Sequence, residues 1–109
     1  MNEEVERGLR LKNPGYVYIL KSGNTIKIGQ SIKPQDRLEY LNRNSYCGRS
    51  NWKFVEAFET DWMLQVEQYT HMELNRHNVR RETFNCSIRQ ARETIISSIS
   101  VFNRRFKNG

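Results

Sequence analysis

The sequence predicts an α+β domain in which a small three-stranded antiparallel sheet is flanked by three helices. Two runs of β-branched and aromatic residues, at 16–20 and 25–28, are separated by a short turn and indicate a β-hairpin. Three later segments combine a helical apolar spacing with residues that commonly start helices. The 109 residues are sufficient for one domain with one modest core.

The register of the hairpin follows from its turn. Gly and Asn at 23–24 tolerate the positive φ angles of a two-residue turn, and that turn places Tyr18 opposite Gly29. Because side chains alternate between the faces of a sheet, Tyr18 and Lys27 then share one face. The other face is apolar and carries Val17, Ile19, Ile26 and Ile28. Gly29 either leaves room for the Tyr18 ring or a ligand, or simply ends the strand.

The next predicted elements are a helix, a loop and a third strand. Pro34 suits the first turn of a helix that runs to about Asn42, with Leu41 on its inner side. Residues 42–51 are rich in Asn, Ser, Arg and Gly, which is typical of a loop. The alternating pattern at 52–58 predicts the third strand.

Two further helices are predicted in the second half of the chain. Thr60 or Asp61 caps one that ends near residue 75. Residues 77–81 form a basic connector, and a short extended piece follows at 82–86. The last helix starts near Ser87. Its apolar stripe has the spacing of a buried helix face and consists of Ile88, Ala91, Ile95, Ile99 and Phe102.

The net charge and the spacing of the cysteines limit the classes of function that this chain can have. The net charge of +6 and the pI of about 9.6 indicate a polyanionic partner such as nucleic acid, with an acidic protein as the other explanation. Cys47 and Cys86 lack metal-ligand spacing and predict reduced cytoplasmic thiols. No apolar run approaches the roughly 20 residues that span a membrane. The domain is predicted at 14–103, between a flexible arm at 1–13 and a basic tail at 104–109.

Five short features follow one another along the predicted elements: Val17-Tyr18, Ile28-Gly29, Arg37, Glu67 and Phe84-Asn85. In this order, over about residues 15–95, they resemble the GIY-YIG nuclease family. Tyr16 stands in place of the first motif glycine, and Lys27 in place of the second motif tyrosine. Lysine at that position also occurs in a branch of the family that includes some restriction enzymes. A small stand-alone chain of this kind is similar to those of phages and mobile elements.

The resemblance implies a metal-dependent endonuclease that hydrolyses DNA phosphodiester bonds by direct attack of water. In that interpretation Tyr18 and Lys27 activate the water, and Arg37 neutralises the phosphate. Glu67 holds one Mg²⁺ or Mn²⁺ ion, since such ions prefer oxygen ligands. The cytoplasm of a bacterial or phage-infected cell is the expected location. Sequence specificity is expected from a homodimer, from a partner protein, or hardly at all, because no separate DNA-reading segment is recognised.

Each of these residues also has an ordinary structural interpretation. Tyr18 can be a half-buried strand tyrosine, and Arg37 a solvated arginine paired with a neighbouring carboxylate. Glu67 and His71, four residues apart on one helix face, can form a surface contact worth about 0.2–0.5 kcal/mol. His71 is otherwise a secondary site residue that orients water or phosphate. Asn85 either hydrogen-bonds the Tyr18 hydroxyl or a backbone carbonyl, or belongs to a turn.

Scattered basic residues surround the predicted site and can together grip a nucleic-acid backbone, with an affinity that falls as salt rises. They are Arg43, Arg49, Lys53, Arg76, Arg80 and Arg81. Two other functions stay open. One is a nuclease-fold protein with weak or no catalysis that binds DNA or inhibits a partner. The other is a small protein-interaction module with an acidic partner.

Overall fold

The computed structural model of the protein describes residues 12–105. Its strands and main helices are, in chain order, β1 (Gly15–Ser22), β2 (Thr25–Ser31), α1 (Pro34–Asn44), β3 (Lys53–Thr60), α2 (Met63–Glu73), β4 (Asn78–Arg80), β5 (Thr83–Phe84) and α3 (Ile88–Arg105). A short 3-10 helix, Asn75–His77, connects α2 to β4. Residues 1–11 of the predicted arm and 106–109 of the predicted tail lie outside the described residues, so these domain limits stay predictions.

The sheet has five antiparallel strands in the order β3-β1-β2-β5-β4, so the predicted three-stranded sheet is wrong. The additional strands, β4 and β5, come from the segments predicted as a basic connector and an extended piece. Strands of three and two residues are too short to show alternation in the sequence, and β4 has no buried residue. They form because β5 pairs with the free edge of β2, which no local pattern reveals.

The hairpin has the predicted register, with Tyr18 opposite Gly29. Gly23 takes a φ of +60° in the turn, a conformation that glycine adopts without strain. The two faces of the hairpin belong to two cores. The first core packs against α2 and α3, and its buried residues are Val17, Ile19, Ile26, Ile28, Trp62, Val66, Leu74, Phe84, Ala91, Ile95 and Phe102. The second core packs against α1, and its buried residues are Tyr18, Leu20, Leu41 and Trp52.

A β-bulge in β3 interrupts the alternation that the sequence predicts for this strand. Between residues 19 and 20 of β1, the partner in β3 changes from Glu56 to Phe54, so Val55 is the extra residue. Val55 and Phe58 are on opposite faces in the predicted pattern, yet both pack against the first core. The bulge therefore lets β3 place two partly buried apolar side chains on the α3 side of the sheet.

The first turn of α2 is capped by Asn13 and not by the predicted Thr60 or Asp61. Asn13 Oδ1 accepts a hydrogen bond from the Leu64 N–H at 2.9 Å. The Asn13 carbonyl accepts another from the Met63 N–H at 2.9 Å. These bonds satisfy donors that have no partner inside the helix. Because the capping residue lies 51 positions away from the Leu64 N–H that donates to it, the sequence around the helix start gives no indication of it.

The last helix follows the prediction closely. Ser87 Oγ accepts a hydrogen bond from the Gln90 N–H at 2.9 Å and so caps α3 where the sequence places its start. The predicted apolar stripe of α3 packs against the first core along its whole length. The sheet is thereby closed on one face by α2 and α3, while α1 covers the face that carries Tyr18 and Lys27.

Truncation of the α3 stripe is expected to destabilise the domain. Ile95 is 0% exposed in the first core, whereas its neighbour Ile96 is 44% exposed. Ile95→Ala removes buried methyl groups and leaves a cavity, so we expect the free energy of unfolding to fall by about 2–5 kcal/mol. Urea denaturation measures this loss. Ile96→Ala is the matched control, with an expected change within about 0.5 kcal/mol. Equal effects of the two variants would contradict this packing.

Candidate functional site

The Tyr18 phenol and the Lys27 ammonium meet above Gly29. Both side chains are almost fully buried on the α1 side of the hairpin. A Cβ atom on Gly29 would lie 2.6 Å from Tyr18 Cζ and 2.8 Å from Lys27 Nζ. The missing side chain therefore provides the space that both groups occupy. Gly29 lies within β2 opposite Tyr18, so the interpretation as room for the ring is confirmed.

Lys27 is held by a carboxylate and two aromatic rings. Its Nζ donates a hydrogen bond to Glu82 Oε1 at 2.6 Å, and it lies 5.3 Å from the centroid of the Tyr18 ring and 4.8 Å from that of Tyr46. Burial alone would lower the pKa of Lys27, but the interactions with Tyr18 and Glu82 outweigh burial and raise it. Lys27 is therefore a charged ammonium at neutral pH, fixed next to the phenol.

Glu82 and Tyr46 are site residues that sequence reasoning missed. Glu82 is 55 positions from Lys27 in the chain, and 36 from Tyr46, whose hydroxyl accepts a hydrogen bond from the Glu82 N–H at 3.2 Å. Neither residue belongs to a motif quoted above. The sequence indicates a nearby carboxylate only indirectly, because a lysine on a buried strand face requires a counter-ion. The sequence did not show which carboxylate supplies it.

Glu67 and His71 of α2 form hydrogen bonds with the backbone of β2 beyond the end of β5. His71 Nε2 lies 2.7 Å from the Ile28 carbonyl oxygen, which can only accept, so Nε2 carries the proton. The Glu67 carboxylate accepts a backbone hydrogen bond from Gln30. These two side chains thus take the place of a neighbouring strand. They bring a carboxylate from the first-core side of the sheet towards Lys27 and Glu82.

The ionisable groups beside this part of β2 affect one another's pKa values. Burial and the nearby Glu82 raise the pKa of Glu67 to about 7, against the smaller opposing effects of Lys27 and the Gln30 hydrogen bond. Burial lowers the pKa of His71, so this imidazole is uncharged at neutral pH. The site therefore contains one fixed cation and two carboxylates, of which Glu67 titrates close to neutrality.

Arg37 lies on α1, the helix that covers the Tyr18 face of the sheet. Leu41, one turn further along α1, is buried in the second core together with Tyr18. The Arg37 side chain is exposed, and its guanidinium carbon lies 5.1 Å from the centroid of the Tyr40 ring. Within residues 12–105 it forms no ion pair. Its hydrogen-bond donors are thus available to an anion.

Asn85 is not brought to Tyr18. Its backbone N–H donates to the His77 carbonyl oxygen at 2.8 Å, and the residue is exposed. It lines a groove of about 550 Å³ together with Ile26, whose side chain belongs to the first core on the opposite face of the sheet. A hydrogen bond between Asn85 and the Tyr18 hydroxyl is absent from the described part of the chain.

The residues predicted to bind a nucleic-acid backbone lie in three different surroundings. The Arg81 guanidinium carbon lies 5.6 Å from the centroid of the Tyr46 ring, which also contacts Lys27. Arg81 itself is exposed. Arg49 is instead tied to the hairpin, because its Nη1 donates to the Ser22 carbonyl and hydroxyl oxygens, both at 3.1 Å. The other members are exposed, namely Arg43, Lys53, Arg76 and Arg80.

Residues 15–99 match the family model of the T5orf172 domain, from the start of β1 to most of α3. The chain belongs to the T5orf172 domain family. This T5orf172 domain is nuclease-like, so a nuclease-like or DNA-binding function is supported. The matched segment contains each of the residues described above as part of the site. Comparisons with curated proteins and with solved structures gave no match.

A three-ligand metal centre is absent from residues 12–105 of this T5orf172 domain, where no three His, Cys, Asp or Glu side chains are arranged to hold an ion. The sequence instead predicts a single carboxylate ligand, Glu67, for Mg²⁺ or Mn²⁺. Both ions commonly retain several waters and need few protein ligands. The unbalanced negative charge of Glu67 and Glu82 fits a divalent cation, which would relieve their repulsion. No helix in the same range has the length and apolar character to cross a membrane.

Glu67 is expected to make the stability of the T5orf172 domain pH-dependent. Its pKa is about 7 in the folded protein and 4.5 ordinarily, so the folded state binds this proton more tightly than the unfolded chain does. The free energy of unfolding therefore falls, through this group, as the pH rises from about 4.5 to about 7. Relative to Glu67→Gln, wild type should lose up to about 3 kcal/mol across this window.

Urea denaturation in EDTA, at several pH values from about 5 to about 8, measures this dependence for both proteins. The comparison with Glu67→Gln cancels the contributions of the other titratable groups, His71 included. If the two stability curves run parallel, Glu67 does not have the raised pKa described here.

Proposed function

We propose that this T5orf172 domain is a GIY-YIG-type endonuclease that hydrolyses DNA phosphodiester bonds with one Mg²⁺ or Mn²⁺ ion. The observation that carries the proposal is the convergence of a phenol, an ammonium and a carboxylate from β1, β2 and α2 where β2 continues past the end of β5. These residues, Tyr18, Lys27 and Glu67, are far apart in the chain. The exposed Arg37 on α1, the helix over the Tyr18 face, adds a guanidinium that forms no ion pair within residues 12–105.

The reaction is a one-step hydrolysis. The oxygen of a water molecule forms a bond to phosphorus while the bond between phosphorus and the 3′ oxygen breaks. The products are a 3′-hydroxyl, which gains a proton, and a 5′-phosphate, which retains the water oxygen. Tyr18 orients the water and assists loss of its proton, with the Lys27 ammonium fixed beside it.

Arg37 stabilises the charge that develops on the phosphate oxygens, since its planar guanidinium can donate two parallel hydrogen bonds to them. Glu67 would hold the metal ion, which when bound polarises the phosphate and stabilises the leaving oxygen. His71 fixes the β2 edge through the Ile28 carbonyl and thereby positions Glu67. Asn85 lies off this site, so we assign no catalytic role to it.

The substrate strand is proposed to run along the exposed basic residues near Arg81, with sequence specificity from a second copy or a partner protein. Phosphate contacts of this kind position a strand without reading its sequence. Binding to DNA should therefore weaken steeply as salt rises. A gel shift in EDTA across a salt series tests this part of the proposal separately from cleavage.

Cleavage is tested with supercoiled plasmid in Mg²⁺, in Mn²⁺ and in EDTA. We expect nicked or linear products with either metal and none in EDTA. The product ends should be joined again by a DNA ligase, because hydrolysis at the 3′ oxygen leaves a 5′-phosphate and a 3′-hydroxyl. Salt-sensitive DNA binding with an intact plasmid in both metals would instead favour the non-cutting alternative, which the replacement of a motif tyrosine by Lys27 makes worth testing.

A further inference from the structure

The Lys27 ammonium has hydrogen-bond donors to spare. An ammonium carries three N–H donors, and within residues 12–105 only Glu82 Oε1 accepts one from Lys27. The ammonium nitrogen lies over the Tyr18 and Tyr46 rings, at 5.3 Å and 4.8 Å from their centroids. Lys27 is 1% exposed, whereas the Glu82 side chain is 41% exposed. The ion pair is therefore buried at its cationic end and open at its anionic end.

Glu82 is itself fixed by its backbone. Its carbonyl oxygen accepts a hydrogen bond from the Ile28 N–H at 3.1 Å, and its N–H donates to the Tyr46 hydroxyl at 3.2 Å. Tyr46 is in turn anchored by a pair of backbone hydrogen bonds with Arg49 and by its ring contact with Trp52. The carboxylate thus approaches Lys27 from a position that β2 and the loop before β3 define together.

We propose that Glu82 and Tyr46 are positioning residues that hold the Lys27 ammonium over Gly29, beside Tyr18, for the reacting phosphodiester. This inference rests on the proposed nuclease function and extends it by two residues that have no place in the sequence motifs. Lys27 needs such partners because a buried ammonium without a counter-ion loses its proton or moves towards solvent. Glu82 acts through Lys27 and does not itself contact the phosphodiester.

Glu82→Gln tests the proposal, with Glu56→Gln as its matched control. Gln keeps the shape of the side chain and removes its charge. Glu56 forms a comparable ion pair with Arg92 at 3.0 Å and is 38% exposed, but it lies on the opposite face of the sheet. With plasmid or duplex oligonucleotide, we expect Glu82→Gln to lower kcat by about 10- to 100-fold with little change in KM. Glu56→Gln should cleave like wild type.

Tyr46→Phe is a milder second variant. It keeps the ring next to Lys27 and removes only the hydroxyl that binds the Glu82 N–H. We expect a smaller loss of kcat in the same direction. Circular dichroism and urea denaturation identify any variant whose loss of activity comes from unfolding, and Tyr46→Phe then carries the test.

The position of Lys27 is also measured without any cleavage. In wild type, Lys27 Nζ lies over the Tyr18 and Tyr46 rings. The NMR signals of the adjacent Hε protons should therefore be shifted upfield of those of exposed lysines. In Glu82→Gln these signals should move towards the exposed values, whereas in Glu56→Gln they should stay in place. Lys27→Met provides the assignment. A small part of the movement is expected in Tyr46→Phe.

The cleavage rate and the Lys27 NMR signal together distinguish failure of the positioning role from failure of the nuclease proposal. A cleaving wild type with an equally active Glu82→Gln, or an unmoved Lys27 signal in that variant, overturns the positioning role and leaves the nuclease proposal intact. An inactive wild type with a displaced Lys27 signal in Glu82→Gln refutes the nuclease proposal, and with it any role in catalysis, while the structural hold on Lys27 stands.

Discussion

Glu67→Gln is expected to reduce metal-dependent cleavage by at least about 100-fold while the domain stays folded. A bound divalent cation contributes several kcal/mol to a phosphoryl-transfer transition state, and a neutral amide is a poor ligand for it. The amide oxygen of Gln can still accept the backbone hydrogen bond from Gln30, so the β2 edge is retained. At about pH 8 without metal, the variant should be at least as stable as wild type, because it removes a repulsive buried charge.

The control for this variant is Glu73→Gln, an exposed residue at the end of the same helix. It removes the same charge from α2 without touching the β2 edge. Initial rates of plasmid conversion in Mg²⁺ and urea denaturation in EDTA are measured for all three proteins. Cleavage by Glu67→Gln at the rate of Glu73→Gln would remove Glu67 from the proposed site.

Gly29→Ala is expected to damage stability and activity together. The new Cβ would lie 2.6 Å from Tyr18 Cζ and 2.8 Å from Lys27 Nζ, closer than packed atoms tolerate. Tyr18 is enclosed by the second core, and Lys27 is buried and bonded to Glu82, so neither group can move away freely. Overpacking of this kind costs about 1–3 kcal/mol. Displacement of both reacting groups should in addition lower cleavage by at least about 100-fold.

Gly48→Ala is the control for a glycine replacement. Its φ is +73°, so the backbone is strained by a side chain, but no atom lies within 4 Å of the added Cβ. We expect a loss of about 1–2 kcal/mol in the free energy of unfolding. Because Gly48 lies in the turn that anchors Tyr46, we expect at most the small loss of cleavage predicted for Tyr46→Phe. If Gly29→Ala is as active as Gly48→Ala, the meeting of Tyr18 and Lys27 above Gly29 has no part in catalysis.

The hairpin and the last helix could be predicted because the residues that determine them are close together in the sequence. The Gly-Asn turn sets the register of β1 and β2, and four aliphatic side chains on one face leave no other register that buries them. The stripe of α3 repeats over about four turns, and Ser87 marks the start of the helix. From this register alone, Tyr18 and Lys27 could be placed on one face and opposite the apolar core.

The remainder depends on contacts between distant segments. β4 and β5 are too short to carry a pattern, and their place beside β2 is decided by pairing. The Asn13 cap and the Glu82 counter-ion lie 51 and 55 positions from their partners. The burial of Glu67 and His71 likewise follows from the free edge of β2, which the sequence of α2 does not show. Motif resemblance located Glu67, but only packing explains why its pKa is raised.

The most direct test of the proposed nuclease site is the initial rate at which Arg37→Ala converts supercoiled plasmid in Mg²⁺. Arg89→Ala, which alters an exposed arginine paired with Glu93 on α3, is measured beside it with wild type. We predict equal rates for wild type and Arg89→Ala, and a rate at least about 100-fold lower for Arg37→Ala. A rate for Arg37→Ala equal to that of wild type, or no conversion by wild type, would contradict the proposal.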